Sequence, residues 1–84
     1  MATIIKLVKK MLCRPAEMRF KDADKVLRYF DWQLINIDGS HFHYEKGNCP
    51  DFIIVIHRNK VCRLYIDRII GFLNLEEWYE HNKK

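Results

Sequence analysis

Two histidines, His41 and His43, stand two positions apart, and on a strand this spacing would send both rings to the same face of a sheet. Histidine exchanges a proton near neutral pH, so such a pair can act in acid–base catalysis. The same pair could bind a metal ion if His57 or Glu45 supplied a third ligand. Solvent-facing histidines without a special role are the third interpretation, and the spacing alone leaves all three open.

RNA is a substrate that suits an acid–base histidine, because it carries its own nucleophile, the 2′-hydroxyl group. A ribonuclease that uses no metal needs a base for that hydroxyl, an acid for the departing 5′-oxygen, and positive charge near the phosphate. The chain has 15 Lys and Arg residues against 11 Asp and Glu residues, which gives a formal net charge of +4. This balance favours a polyanionic partner such as nucleic acid, but it does not identify one.

Several other chemistries lack their usual motifs. The sequence contains no glycine-rich phosphate loop, no HExxH and no GxSxG, and its cysteines Cys13, Cys49 and Cys62 form no CxxC pair. We therefore expect neither a cofactor nor a metal site. An odd number of widely spaced cysteines favours reduced thiols, and no apolar run is long enough to span a bilayer. The sequence thus predicts a cytoplasmic protein without a membrane partner.

The elements that must position the histidines begin with two helices. Apolar residues recur at helical spacing in two segments, Ile4, Leu7, Val8, Met11 and Leu12 in the first and Ala23, Val26, Leu27 and Phe30 in the second. Thr3 is the expected cap of the first helix, and Pro15 stops it. Asp22 is the expected cap of the second helix, and Asp31 ends it. The first helix also carries a basic stripe, which consists of Lys6, Lys9, Lys10 and Arg14.

The pattern then changes to strands. Residues 32–37 are rich in aromatic and branched side chains, and Asp38-Gly39 is a hairpin turn signal because glycine accepts a positive φ at little cost. Residues 41–45 read as the returning strand. The continuous apolar run at 52–56 predicts a central strand that is buried on both faces, and residues 58–60 read as a polar connection.

One more helix completes the predicted fold. Its apolar face consists of Ile66, Ile69, Ile70 and Leu73, and the following Asn74 and Glu77 resemble a capping box. The order of two helices, three strands and a helix predicts one α+β domain over residues 1–84. We expect a two-layer sandwich in which helices cover one face of a three-stranded antiparallel sheet.

The segment Gly39-Ser40-His41-Phe42-His43-Tyr44, which follows a helix and a strand, resembles the GSHhxY signature of the HicA family of toxins from toxin–antitoxin systems. The similarity extends over about residues 5 to 73. It includes Arg14-Pro15, Met18-Arg19-Phe20, Val26-Leu27, Phe30-Asp31-Trp32, the strand that ends at His57, and the helix at Tyr65 to Ile70. The chain departs from the family at Asp31, where glycine is frequent.

This resemblance implies a fold like that of a double-stranded RNA-binding domain, metal-independent cleavage of mRNA that inhibits translation, and control by a HicB-type antitoxin. It also implies that His41 is the catalytic histidine. We expect RNA contacts from Gly39, Ser40, His43, Lys46 and Lys60, and further phosphate contacts from the basic stripe of the first helix and from Arg58 and Arg63. The second catalytic group stays open among His43, Tyr44 and Lys46. The alternatives are a non-catalytic RNA-binding module and a partner-binding protein of the same fold.

Overall fold

The computed structural model of the chain describes residues 3–83. Within that range the elements follow one another as α1 (Ile4–Leu12), β1 (Glu17–Arg19), α2 (Phe20–Tyr29), β2 (Gln33–Asp38), β3 (His41–Glu45), β4 (Phe52–His57), β5 (Lys60–Cys62), α3 (Arg63–Leu73) and α4 (Leu75–Asn82). Helices pack against an antiparallel sheet, which confirms the predicted α+β class.

The sheet has five strands in the order β1-β5-β4-β3-β2, and every neighbouring pair is antiparallel. The prediction of three strands is therefore wrong. The two additional strands, β1 and β5, have only three residues each, which is too short for an alternating pattern to stand out in the sequence. They pair with one another through Met18 opposite Val61, so the extra edge of the sheet joins distant parts of the chain.

The turn between β4 and β5 explains why residues 58–60 read as a polar connection. Arg58 and Asn59 are its two central residues, and both have positive φ angles, 52° and 63°. A two-residue hairpin of this kind normally uses glycine or asparagine, because most other side chains are strained at positive φ. The turn was not predicted because arginine is unusual at its first central position. Lys60, predicted to lie in the connection, is instead the first residue of β5.

The helices cover one face of the sheet and enclose the core with it. The α2 and α3 helices contact β1 and β5, while α1 packs against the other three helices. The core contains Met18, Ile54, Ile56 and Val61 from the strands and Val26, Leu27, Ile66 and Ile69 from the helices, all of them buried. The apolar spacing of the predicted helices thus marks the faces that pack inwards.

No element within residues 3–83 covers the other side of the sheet, and we refer to it as the open face. Its side chains alternate along the strands with those of the core; they include Arg19, Asn36, Asp38, His41, His43, Glu45, Ile53, Val55, His57 and Lys60. The prediction that the 52–56 strand is buried on both faces is wrong, because Ile53 is 45% exposed. Apolar residues on this strand therefore reach solvent on the side where the histidines lie.

The helix ends differ from prediction where the backbone finds partners in the tertiary structure. Thr3 caps α1 as expected and accepts a hydrogen bond from the Lys6 amide at 3.4 Å. The α2 helix begins at Phe20, ahead of the expected cap Asp22, because the Phe20 amide donates to the Asn59 carbonyl at 2.7 Å. The β4–β5 turn therefore satisfies the first amide of this helix without a side-chain cap.

The segment after α3 folds onto the rest of the domain as a helix. Asn74 adopts a left-handed conformation between α3 and α4, and its side-chain amide donates to Glu77 rather than capping the backbone, so the predicted capping box is not formed. Leu75 is fully buried. The ring of Trp78 packs edge-on against Phe30, with 5.2 Å between centroids. None of the helices between residues 3 and 83 has the length and apolar character needed to cross a bilayer.

Candidate active site

A two-residue turn presents the first histidine at the edge of the open face. Asp38 pairs with His41 across β2 and β3, so Gly39 and Ser40 form the turn between them. Gly39 has a φ of 60°, where a glycine at the first turn position is favoured. The Ser40 carbonyl accepts a hydrogen bond from the Ile56 amide of β4 at 2.9 Å. This bond anchors the turn, and with it the start of β3, to the central strand.

The two histidines lie on the same face of β3 over an apolar patch. His41 is opposite Val55 of β4 and His43 is opposite Ile53. Residues two apart on a strand have Cα atoms about 7 Å from each other. His41 is exposed and His43 is partly buried. The strand therefore holds two imidazole rings side by side at a surface that a ligand can reach. The aliphatic side chains of Val55 and Ile53 lie next to them on β4.

Carboxylates flank the histidine pair in two different ways. The Nε2 atom of His43 lies 3.2 Å from Oδ2 of Asp51, the last residue before β4. Asp38 is the cross-strand partner of His41, but within residues 3–83 no carboxylate oxygen lies within ion-pair distance of the His41 ring. The two histidines are therefore not equivalent, since one ring is held by a carboxylate and the other is left unheld. No spacing pattern in the sequence predicts the Asp51 contact.

Tyr44, which the sequence left as a candidate for the second catalytic group, lies in the core. Its hydroxyl donates a hydrogen bond of 2.6 Å to Asp24 of α2, and the other oxygen of Asp24 accepts one of 2.7 Å from Arg28. Burial, assisted by the hydrogen bond to Asp24, raises the pKa of Tyr44 well above its ordinary value. Tyr44 therefore connects the sheet to α2 and is absent from the face that carries His41.

Positive charge is concentrated at the β1 and β5 edge of the sheet. Arg19, Lys21 and Lys60, together with Phe20 and Asn59, line an open depression of about 370 Å³. We call these three cations the basic end. Arg19 pairs with Lys60 and Lys60 pairs with His57, which forms a row across three strands on the open face. The side chain of Glu17 contacts Lys60 at 3.3 Å and offsets part of this charge.

The remaining predicted RNA contacts are distributed over the molecule. Lys46 follows β3 directly, at the end of the strand away from the Gly39 turn. The basic stripe of α1 lies in the helical layer, where Lys10 pairs with Asp22, and Arg14 pairs with Asp67 and Glu76. The structure thus places His41, His43 and the Gly39-Ser40 turn together on the open face. Lys60 lies on the same face, on β5, which β4 separates from β3, whereas the basic stripe of α1 lies in the helical layer.

The structure does not assemble the third ligand that the metal interpretation of the histidines requires. Among residues 3–83, the His, Cys, Asp and Glu side chains form no group of three or more that could hold a metal ion. Cys13, Cys49 and Cys62 are all exposed and unpaired with one another.

Comparisons of this chain with protein-family models, with characterised proteins and with solved structures find no match. A function must therefore be inferred from the residues of the open face.

Proposed function

We propose that this chain is a metal-independent ribonuclease of the HicA type, a toxin that cleaves mRNA and is inhibited by a HicB-type antitoxin. One observation carries the proposal. His41 stands at the end of the Gly39-Ser40 turn, on a sheet face that the helices leave uncovered, beside a second histidine. That arrangement supplies a proton acceptor and a proton donor within reach of one phosphodiester.

The chemistry requires little beyond these groups. The ribose 2′-hydroxyl becomes a nucleophile once a base removes its proton, and His41 is accessible for that role. Val55 and Ile53 supply an apolar surface next to the two rings, against which a ribose or a base can pack. Contact with such a surface removes water from the phosphate and strengthens its electrostatic interactions with protonated imidazole.

The basic end supplies affinity for the rest of the RNA strand. Using the ordinary spacing of strands and residues, we place Arg19 about 16 Å from His41 across the sheet. An RNA strand of a few nucleotides covers that span. Lys60 and His57 lie in the row between them. RNA phosphates bound at the basic end would therefore keep the RNA strand aligned over the histidine pair, as phosphate contacts do in nucleic-acid complexes.

The topology supports the same proposal. The strands β2, β3 and β4 form an antiparallel meander that is preceded by α2 and followed by α3, with only the short β5 in between. A helix, three strands and a helix is the arrangement expected of a double-stranded RNA-binding domain, to which β1 and β5 would be additions. This likeness favours RNA over other polyanions.

Cleavage of RNA by the purified protein tests the proposal. We expect cleavage to persist in excess EDTA and to produce ends with a 2′,3′-cyclic phosphate. Replacing His41 by Ala should reduce the rate by a factor of about 10² to 10⁴, the usual effect of losing an acid–base group. His81→Ala, at an exposed histidine of α4, is the matched control and should cleave at the rate of the parent.

Three outcomes would contradict the proposal or change it. Equal cleavage by His41→Ala and the parent protein would show that another group does the chemistry. Loss of activity in EDTA that zinc or magnesium restores would favour a metal site. Binding of RNA without any cleavage would favour the non-catalytic RNA-binding module.

A further inference from the structure

We propose that His43, held by Asp51, is the general acid of the cleavage reaction, and that His41 is its base. This inference rests on the proposed function and adds a catalytic residue and a positioning residue to it. It starts from the one side-chain contact within hydrogen-bond distance that either histidine makes among residues 3–83, the 3.2 Å contact between His43 Nε2 and Asp51 Oδ2.

The placement of Asp51 makes this contact a feature of the fold. Asp51 directly precedes β4, and the next residue, Phe52, is buried and paired with Tyr44. Because side chains alternate along a strand, the buried Phe52 directs its neighbour towards the open face. Asp51 therefore reaches the histidine on the adjacent strand, and the carboxylate accepts a hydrogen bond from the ring.

The asymmetry of the pair assigns the two roles. A carboxylate in hydrogen-bond contact interacts more favourably with a protonated imidazole than with a neutral one. We assign the proton donor to His43, whose ring Asp51 holds in one orientation, and the proton acceptor to His41, whose ring no carboxylate among residues 3–83 holds. The Asp51 contact also fixes the Nε2 edge of the His43 ring, which leaves Nδ1 to carry the proton to the substrate.

The reaction balances with these groups alone. The 2′-oxygen bonds to the adjacent phosphorus while His41 takes the hydroxyl proton. The bond from phosphorus to the 5′-oxygen breaks, and His43 gives its proton to that oxygen. The products are a 2′,3′-cyclic phosphate and a 5′-hydroxyl. Exchange of protons with water then returns His41 to its neutral form and His43 to its protonated form.

A change of leaving group separates the acid from the base. The substrate is a short RNA with a cleavage site mapped for the parent protein, made once with the natural linkage and once with sulfur in place of the bridging 5′-oxygen. A thiolate leaves without being protonated, so it needs no general acid. His43→Ala should cleave the oxygen-linked RNA about 10² to 10⁴ times more slowly than the parent, and should recover most of that loss on the sulfur-linked RNA. His41→Ala should be slow on both substrates.

Asp51→Asn tests the positioning role. It keeps the size of the side chain but loses the charge, so we expect a smaller loss than in His43→Ala, again confined to the oxygen-linked RNA. Glu45→Gln removes another carboxylate of the open face, one that does not contact either histidine, and should leave both rates unchanged. Urea denaturation of each variant shows that it is folded, and His43→Gln provides a second variant that retains a polar side chain.

The outcomes separate this inference from the proposed function. If His43→Ala and His43→Gln, both folded, lose no rate or lose it equally on the two linkages, His43 is not the acid. If Asp51→Asn cleaves both substrates like the parent, Asp51 does not position it. If the parent cleaves neither linkage, or His41→Ala equals the parent on both, the proposed function itself fails.

Discussion

The side chain of Tyr44 is fully buried, and its hydroxyl reaches from the core side of the sheet to α2. Its hydrogen bond to Asp24, which also accepts from Arg28, connects β3 to α2 directly beneath the histidine pair. Since Tyr44 alternates with His41 and His43 along β3, the position of its ring determines how the strand sits in the sheet. Tyr44 thus supports β3 from the core side of the sheet and takes no part in the proposed proton transfers.

Tyr44→Phe should lower the free energy of unfolding by about 1 to 2 kcal/mol at pH 7, because Asp24 loses a donor in a mostly buried position. An unfolded tyrosine ionises near pH 10, whereas the folded protein keeps Tyr44 protonated to higher pH. The stabilisation is therefore complete below about pH 10 and is lost as the pH rises further. Urea denaturation measures the free energy of unfolding at pH 7 and above pH 10. The difference in this free energy between the parent and Tyr44→Phe should be smaller above pH 10.

Tyr29→Phe provides the control for this experiment. Tyr29 is exposed at the end of α2, so removing its hydroxyl should change stability little at either pH. A gap between the parent and Tyr44→Phe that is the same at both pH values would contradict the argument from ionisation. Equal stability at pH 7 would show that the Asp24 hydrogen bond contributes nothing.

The end of α2 determines how the chain enters β2 and therefore where the histidine hairpin begins. Asp31 has a φ of 70°, and its amide donates to the Arg28 carbonyl at 3.0 Å. The Trp32 amide donates to the Leu27 carbonyl at 2.9 Å. These two bonds form a Schellman motif, in which the left-handed position is usually glycine. Asp31 therefore holds a strained conformation at a position where glycine is usual.

Asp31→Gly should raise the free energy of unfolding by about 0.5 to 1 kcal/mol, because glycine adopts the left-handed conformation without strain. For a domain of this size, about 1 kcal/mol corresponds to a rise of about 4 to 8 °C in Tm. Asp31→Ala removes the same carboxylate but keeps a Cβ atom, so it should give no such gain. If both variants melt at the same higher temperature, loss of charge rather than relief of strain is responsible.

The elements that were predicted well are those whose signal is local. The bounds of β3 match the prediction because a glycine turn precedes it and large aromatic residues alternate with histidines along it. The common face of His41 and His43 follows from the same alternation. β1 and β5 were missed because each is defined by its partner rather than by its own pattern. The Asp51 contact was missed because the loop after β3 brings it to His43, and no spacing rule describes that loop.

Across the whole molecule, the charge is unevenly distributed, so the proposed binding of RNA would use the cations near the open face. The basic end lies at the edge of the open face, whereas the α1 lysines lie in the helical layer. We expect the logarithm of RNA affinity to fall linearly with the logarithm of salt concentration. Arg19→Ala and Lys60→Ala should each weaken binding and reduce that slope by about 0.7. Binding is best measured in the His41→Ala protein, which leaves the RNA intact.

Lys9→Ala is the matched control for the charge argument, since Lys9 is exposed on α1. It should change neither the affinity nor the slope. An equal effect of Lys9→Ala and Lys60→Ala would mean that RNA covers the helical layer as well. Affinity that does not change with salt would favour a protein partner over nucleic acid.

The uncovered sheet face also determines how an antitoxin would act. Ile53 on the open face and Ile35 on the edge strand β2 are both exposed, so an inhibitor could bury apolar surface while covering the histidines. Hydrogen exchange of the chain with a bound HicB-type antitoxin should show protection at residues 39–44 that the chain alone does not show. Protection confined to α3 and α4 would mean that inhibition does not occur by occlusion.

The pairing of β1 with β5 has a consequence for the order of folding. Strands β3, β4 and β5 each directly follow a sheet neighbour in the chain, whereas β1 meets β5 only after the intervening chain has closed. Because long closures cost more entropy, β1 should dock in a late kinetic step. The hairpin that bears His41 is then complete while Arg19 is still apart from Lys60. Local detachment of β1 would leave His41 and His43 in place and take Arg19 away from the basic end, so a momentary opening would release RNA from the proposed site without separating the two histidines.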